Sequence, residues 1–221
     1  MYERQSLAAI ASTSQASLRW LAQPSPNIDE VRKLTLDVAS DVERAAQIIS
    51  RIRAMATGRV PEPVLLCPND VIRDALLFLR HEVASQDVVA SHFPAINQKV
   101  VLGDRTQLQQ VIVNLAVNAV QAMAQAGSSK RDIVFRTAWQ NPATLHCSVE
   151  DSGPGISPRD LPRLFDSFFT TKDNGMGMGL RICRSVIEAH GGHIAADNES
   201  SRGGARFHFT LPVATTSAQA S

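Results

Sequence analysis

Between Arg105 and Ala124 the chain runs for five helical turns without glycine or proline and is apolar on two sides of the helix it would form. At about 100° per residue, Leu108, Val111, Ile112, Leu115, Ala119 and Met123 gather on one side, and Val113, Val117 and Val120 cover another. A helix of this kind is normally buried. Only Gln110, Asn114, Asn118 and Gln121 form a polar stripe between the two apolar sides. A buried amide without partners costs about 1–3 kcal/mol, so the stripe should face something polar. A nucleotide phosphate with its cation fits, because amide oxygens are good ligands for hard metals. A stripe open to solvent along one edge of a surface helix is the alternative. Neither Asn114 nor Asn118 is a carboxylate able to activate water, which points toward phosphoryl transfer rather than hydrolysis.

Further on, Thr144–Asp151 alternates Leu145, Cys147 and Val149 on one face, and the same alternation puts Asp151 inward at the strand end. An inward carboxylate needs a donor. The exocyclic amino group of adenine supplies one, whereas guanine presents a carbonyl there. Gly153 and Gly155 permit close backbone approach, and Pro154 stiffens the turn between them. Asp-x-Gly-x-Gly is weak as a lone motif, since turns of this composition are common.

Gly175-x-Gly177-x-Gly179-Leu180 lies directly before an amphipathic segment carrying Leu180, Ile182, Cys183, Val186 and Ile187. Its peptide N–H groups and the positive end of the helix can both meet phosphate. A dinucleotide fingerprint would close an early strand and space its third glycine further away, and Gly-x-x-x-x-Gly-Lys-Ser/Thr is absent from the sequence.

Two regions of different character flank Gly58-Arg59-Val60-Pro61-Glu62-Pro63, where the prolines disfavour helix in the residues before them. Before it, apolar residues step by threes and fours from Leu7 to Leu21, Pro24-Ser25-Pro26 breaks the pattern, and a second helix starts after Asn27 or Asp29 and runs to about Thr57-Gly58. That helix has heptad seams, Val31, Val38, Ala45 and Ile52 against Leu34, Asp41, Ile48 and Met55. A hairpin this long cannot bury both seams alone, so we expect a homodimer through a four-helix bundle; folding back on its own chain is the alternative. After the break, strands near 64–67, 88–93, 99–102, 133–139, 144–151, 193–197 and 206–211 mix with helices at 69–85, 105–124 and 179–190. This order predicts an α+β sandwich with helices on one face of a mixed sheet. The expected organisation is a helical hairpin at 1–58, a linker at 59–68, the sandwich domain at 69–212 and a disordered tail at 213–221.

Lys and Arg total 22 against 21 Asp and Glu, so no net field draws the chain to nucleic acid or to an anionic membrane. Cys67, Cys147 and Cys183 lack any metal spacing and read as buried reduced thiols, as expected of a cytoplasmic setting. No apolar run nears the roughly 20 residues of a membrane span, so direct membrane contact is not expected, though a longer parent could be anchored.

With these residues assembled, the region from Asn69 to Pro212 resembles the ATP-binding domain of sensor histidine kinases, within the superfamily shared with gyrase, Hsp90 and MutL. Asn114-Leu-Ala-Val-Asn118-Ala is similar to that family's asparagine box, and Asp151-Ser-Gly-Pro-Gly155 to its first glycine box. Leu164-Phe-Asp-Ser-Phe-Phe-Thr-Thr-Lys172 resembles its phenylalanine box, Gly175-Met-Gly-Met-Gly179-Leu its second glycine box, and Gly203-Gly-Ala-Arg-Phe207 the closing one. The resemblance implies ATP and Mg²⁺ as cofactors. It implies that Asn118 holds the metal, Asn114 contacts the metal–phosphate region, Asp151 binds the adenine amino group, and Lys172 reaches the terminal phosphates from a lid over about 163–175. The nucleotide-binding set it implies adds Gly153, Gly155, Ile156, Thr170, Thr171, Gly175, Gly177, Gly179 and Leu180. In hydrolytic members a water-activating glutamate stands at the place of Asn114.

The hairpin resembles the dimerisation and phosphotransfer region of the subgroup containing nitrogen-fixation oxygen sensors and dicarboxylate sensors, through Gln5-Ser-Leu-Ala-Ala-Ile10, Ser17-Leu-Arg-Trp-Leu21 and Ile48-Ile-Ser-Arg-Ile-Arg53. That subgroup starts the helix with His-Glu, the His accepting the phosphoryl group for relay to the receiver domain of a response regulator. Aligned without gaps, Met1, Tyr2 and Ser6 stand where His, Glu and a following Pro belong, and the first histidine of the chain is His81. Either the chain is a fragment cut at the acceptor or its parent has a changed acceptor; as given, it is expected not to phosphorylate its own bundle. His92, His146, His190, His193 and His208 are expected at surface or packing sites.

Overall fold

The computed structural model describes residues 2–39, 63–96, 99–172 and 177–214. The chain divides into two compact units, Met1–Arg59 and Val60–Ser221. In the first, helix α1 spans Tyr2–Leu21, and the proline-containing turn after it ends where the Asn27 side chain accepts the Glu30 N–H at 3.1 Å. That is an N-cap, satisfying one of the N–H groups a helix start leaves open. Of the two starts the sequence allowed for helix α2, the earlier is therefore used, and α2 is described over 28–39. The rest of the second heptad helix, expected to run to about 57–58, lies outside the described residues. Leu18, Leu21, Ile28 and Leu36 are exposed.

The second unit contains β1 (Val64–Leu66), α3 (Pro68–Ser85), β2 (Val89–Phe93), β3 (Val101–Gly103), α4 (Arg105–Gln125), β4 (Asp132–Asn141), β5 (Thr144–Asp151), α5 (Gly179–Ala189), β6 (Ile194–Asp197) and β7 (Arg206–Pro212), with a 3-10 turn at Leu161–Arg163. The main sheet has the order β2-β4-β5-β7-β6. Only β2–β4 is parallel; the other three pairings are antiparallel. A parallel pair needs a long crossover, and here β3 and α4 lie in that crossover. On the helix-facing side of the sheet, Ile133, Phe135, Leu145, Cys147, Val149, Phe207, Phe209 and Leu211 join α3, α4 and α5 in one core. The opposite side is polar, with His208 against Asp197 at 3.2 Å and Arg206 against Asp197 and Glu199 at 2.8 and 2.7 Å. This is the predicted α+β sandwich.

Two expected boundaries are corrected. The linker at 59–68 is shorter, because Val64–Leu66 pairs antiparallel with Val101–Gly103 and Pro68 begins α3. The tail is ordered at its start, because Val213 N–H donates to Ala143 O at 2.8 Å and Ala214 N–H to Val100 O at 2.9 Å. The strand expected near 64–67 thus lies inside the expected linker, and the first tail residues supply backbone hydrogen bonds that an edge would otherwise leave unmade. Cys147 and Cys183 are buried as expected, whereas Cys67 is half-buried.

Candidate functional site

Helix α4 is the common wall of the site. Asp104 caps it by accepting the Gln107 N–H at 3.0 Å, and His190 Nε2 accepts the Asp104 N–H at 3.0 Å while its Nδ1 lies 2.7 Å from Val186 O. The second contact requires a proton on Nδ1 and so leaves Nε2 free to accept. This histidine is structural, tying the end of α5 to the start of α4.

The amide stripe divides into an inner and an outer half. Asn114 is only 6% exposed; its Oδ1 accepts from Gln110 Nε2 at 2.9 Å, and its Nδ2 faces Cys183 Sγ at 3.8 Å. Burial pushes the Cys183 thiol up to about 12, so Cys183 is a neutral packing partner that joins α4 to α5. Asn118 and Gln121, one turn further along, turn outward. Asn118 Oδ1 and Gln121 Oε1 accept from the same ammonium, Lys172 Nζ, at 2.9 and 2.7 Å. Lys172 is therefore not a solvated loop lysine; it reaches back across more than fifty residues to the face of the stripe.

The segment that delivers it is shaped locally. Thr170 Oγ1 accepts the Lys172 N–H at 3.1 Å, Thr171 is exposed, and Phe168 adopts a left-handed φ of 66°. Arg163 stacks over Phe169 at 4.8 Å and Arg184 of α5 over Phe165 at 4.5 Å, contacts that hold guanidinium groups on aromatic faces. Gly177, at φ 64°, lies so close to the Phe168 and Phe169 backbone that a Cβ there would collide with it. Two expected glycine-box members thus have visible roles or places, Gly177 under the phenylalanine segment and Gly179 at the first position of α5; Gly175 lies outside the described residues. Met178 caps α5 without a side-chain hydrogen bond, and the N–H groups at a helix start suit an anion. Leu180 packs on the core from the first turn of α5, and Ile156 packs on it from the first glycine turn.

At the end of β5, Asp151 is 2% exposed. Its Oδ1 accepts the Gly153 and Ala205 N–H groups at 2.8 and 3.1 Å. Burial pushes its carboxyl up and these two donors oppose the shift, a balance expected where a charge is desolvated but hydrogen-bonded. The inward orientation follows the strand alternation; the donors come from the backbone of the two glycine-rich turns, which sequence reasoning did not assign to this task. The Asp151 turn touches α4 through Ser152 Oγ, 3.4 Å from Met123 Sδ.

Two further residues join the candidate site without an expected role. Gln121 was placed on the polar stripe without a role, and the stripe itself was the available signal. Asn198 was not singled out: its Oδ1 accepts the Ile156 N–H and its Nδ2 donates to Ile156 O, both at 2.7 Å, clamping the turn in which Gly155 holds a φ of 75°. Nothing in its local sequence announces that contact. Among the described residues there is no cluster of three or more His, Cys, Asp or Glu placed to hold a metal, and no helix long and apolar enough to cross a membrane.

A family model described as histidine kinase-, DNA gyrase B- and HSP90-like ATPase matches residues 103–215, about half of the chain. The sensor protein FixL of Bradyrhizobium diazoefficiens is 40% identical over 211 residues, which are 95% of this chain and 41% of that protein. The C4-dicarboxylate transport sensor protein DctS of Rhodobacter capsulatus is 35% identical over 95% of this chain and 32% of its own length. The chain thus spans well under half the length of these curated relatives. Among solved structures, the catalytic domain of histidine kinase ThkA superposes with a TM-score of 0.60 at 30% identity, covering 69% of this chain and 96% of that one. ThkA in complex with the response regulator protein TrrA gives 0.66 at 25% identity, covering 96% of this chain and 59% of that one. Five motifs in order, the sandwich topology and these likenesses agree: the chain belongs to the histidine kinase-, DNA gyrase B- and HSP90-like ATPase family, on its sensor histidine kinase branch.

Proposed function

We propose that this chain is the ATP-binding kinase core of a two-component sensor histidine kinase of the FixL and DctS type, transferring the γ-phosphoryl group of ATP to a histidine on a helical bundle for relay to a response regulator aspartate. The observation that carries the reading is the convergence of Asn118 Oδ1 and Gln121 Oε1 on one cationic nitrogen. Hard amide oxygens already gathered round an ammonium suit a Mg²⁺ ion, with Asn118 as its protein ligand; the metal, when bound, neutralises phosphate charge.

In this reading Asp151 accepts from the adenine amino group, held ready by the Gly153 and Ala205 N–H groups. Gly153, Gly155 and Ile156 form the turn beneath the base, and Gly175, Gly177, Gly179 and Leu180 bring the α5 N-terminus to the phosphates. Thr170 and Thr171 lead into Lys172, which meets the terminal phosphates, while Asn114 backs the metal–phosphate region from inside. The stripe holds amides and no carboxylate, so nothing on it is equipped to activate water, and the chain's contribution is positioning and charge neutralisation.

The hairpin is proposed to form a homodimer, supported by the exposure of Leu18, Leu21, Ile28 and Leu36 along its two helices, and to present the docking surface for the regulator. A cytoplasmic location accords with free thiols and with ATP as substrate. The alternative is a non-catalytic dimeric nucleotide-binding module that docks a regulator, and one experiment separates the two.

The test is incubation with γ-labelled ATP and Mg²⁺, alone and mixed with a lid-disabled version of the same bundle bearing a histidine at its head. Label on the partner supports the kinase; no label despite measured ATP binding supports the second reading.

A further inference from the structure

We propose that Gln121 is a positioning residue for Lys172, holding its ammonium beside Asn118 so that lysine and metal can both meet the phosphates. The proposal rests on the reading that Lys172 serves the terminal phosphates and that Asn118 is the metal ligand.

Asn118 and Gln121 are three residues apart on α4 and so lie on the same face, displaced by about 4.5 Å along the axis. Both carbonyl oxygens accept from Lys172 Nζ, at 2.9 and 2.7 Å. The shorter contact is to Gln121. A lysine side chain has four rotatable bonds and gives up much rotamer freedom when fixed, and Lys172 sits on an irregular segment shaped by the Thr170 hydroxyl. If Asn118 were its sole acceptor here, the incoming metal would take that oxygen and place a second positive charge against the ammonium. Gln121 removes the conflict. Its oxygen keeps the lysine near the site when Asn118 turns to the metal, and the offset along the helix separates the two cations. A neutral amide suits this task, because it anchors an ammonium without neutralising it and without adding a carboxylate that could compete for the metal.

The experiment compares the full chain with Gln121→Met, Lys172→Met and the double variant, each checked for an unchanged melting transition. ATP and ADP affinities are measured with Mg²⁺ by fluorescent-nucleotide displacement, and the rate of Lys172 reductive methylation is measured without nucleotide. Losing one hydrogen bond to a charged group corresponds to about tenfold. Gln121→Met is expected to weaken ATP by about that factor with a much smaller effect on ADP, to speed Lys172 methylation, and to add nothing further in the Lys172→Met background. Equal weakening of ATP and ADP, an unchanged methylation rate, or an additive effect in the double variant overturns the positioning role. If Lys172→Met itself leaves ATP affinity unchanged, the phosphate reading of Lys172 fails and the proposal falls with it; if Lys172→Met weakens ATP and Gln121→Met does not, the proposal alone fails.

Discussion

The Gly204 N–H donates to the main-chain oxygen of Asp151 at 3.1 Å, and the Gly204 Cα packs so tightly on the Asp151 carboxylate that any Cβ would collide with Oδ1. The closing glycine box is therefore part of the Asp151 cradle. Gly204→Ala is expected to cost about 1–3 kcal/mol of stability through overpacking and to weaken ATP binding with it. Thermal melting and nucleotide titration on the same sample check both; unchanged values for both would show that the cradle relaxes freely.

Asp151→Asn separates fold from recognition. The amide oxygen can still accept from Gly153 and Ala205, so melting should move little. On the proposed adenine contact, the NH₂ end would then face the adenine amino group donor to donor, and ATP affinity should fall by about tenfold or more. Guanine presents a carbonyl at that place, so the ATP-to-GTP preference should narrow, which a competition titration reads directly.

Asn198 makes two 2.7 Å hydrogen bonds to the Ile156 backbone. Asn198→Ala should loosen the turn that carries Gly155 and lose about 1–2 kcal/mol of stability, with a parallel loss of nucleotide affinity. Asn198→Asp keeps the acceptor for the Ile156 N–H but sets a carboxylate oxygen against the Ile156 carbonyl, so it should lose at least as much affinity in nucleotide titrations. Unchanged affinity in both variants would argue that the clamp does not shape the site.

At Gly177 a left-handed φ and the backbone of Phe168 and Phe169 leave no room for a side chain. Gly177→Ala should strain the turn by about 1–3 kcal/mol and displace the segment that carries Lys172. Gly179→Ala is the control for strain, since a Cβ there meets nothing within 4 Å. Nucleotide affinity and thermal stability should both drop in the first, and thermal stability should hold in the second.

Stability should depend on two histidines. Burial, then Arg73, lowers the His92 pKa from 6.5; burial, then His208 and Arg206, lowers that of His146. His92 Nε2 is also buried and without a hydrogen-bond partner among the described residues. A depressed folded-state pKa means that the unfolded chain binds the proton first, so this contribution is whole above pH 6.5 and shrinks as pH falls through that value. Denaturant midpoints from pH 8 to 5 should decline, and less steeply for His92→Leu.

Much of this was legible in the residues because it is local. Alternation along Thr144–Asp151 put the carboxylate inward, the two apolar sides of α4 buried that helix, and glycine spacing marked both turns of the candidate site. The strand at Val64–Leu66 was legible too, but its pairing with Val101–Gly103 and the hydrogen bonds of Val213 and Ala214 to Ala143 and Val100 join residues distant in the chain, which no local pattern encodes.

By itself the sequence determined the layered α+β fold and the places of the five boxes, since periodicity of 2 and 3.6 and the backbone freedom of glycine are properties of neighbouring residues. Only the tertiary structure decided that Asn114 turns inward to Gln110 and Cys183, that Asn198 clamps Ile156, and that Lys172 lies on Asn118 and Gln121. Each is a contact between side chains or turns brought together by packing. Burial sets its energy, because a polar group withdrawn from water takes whatever partner the fold places within about 3 Å.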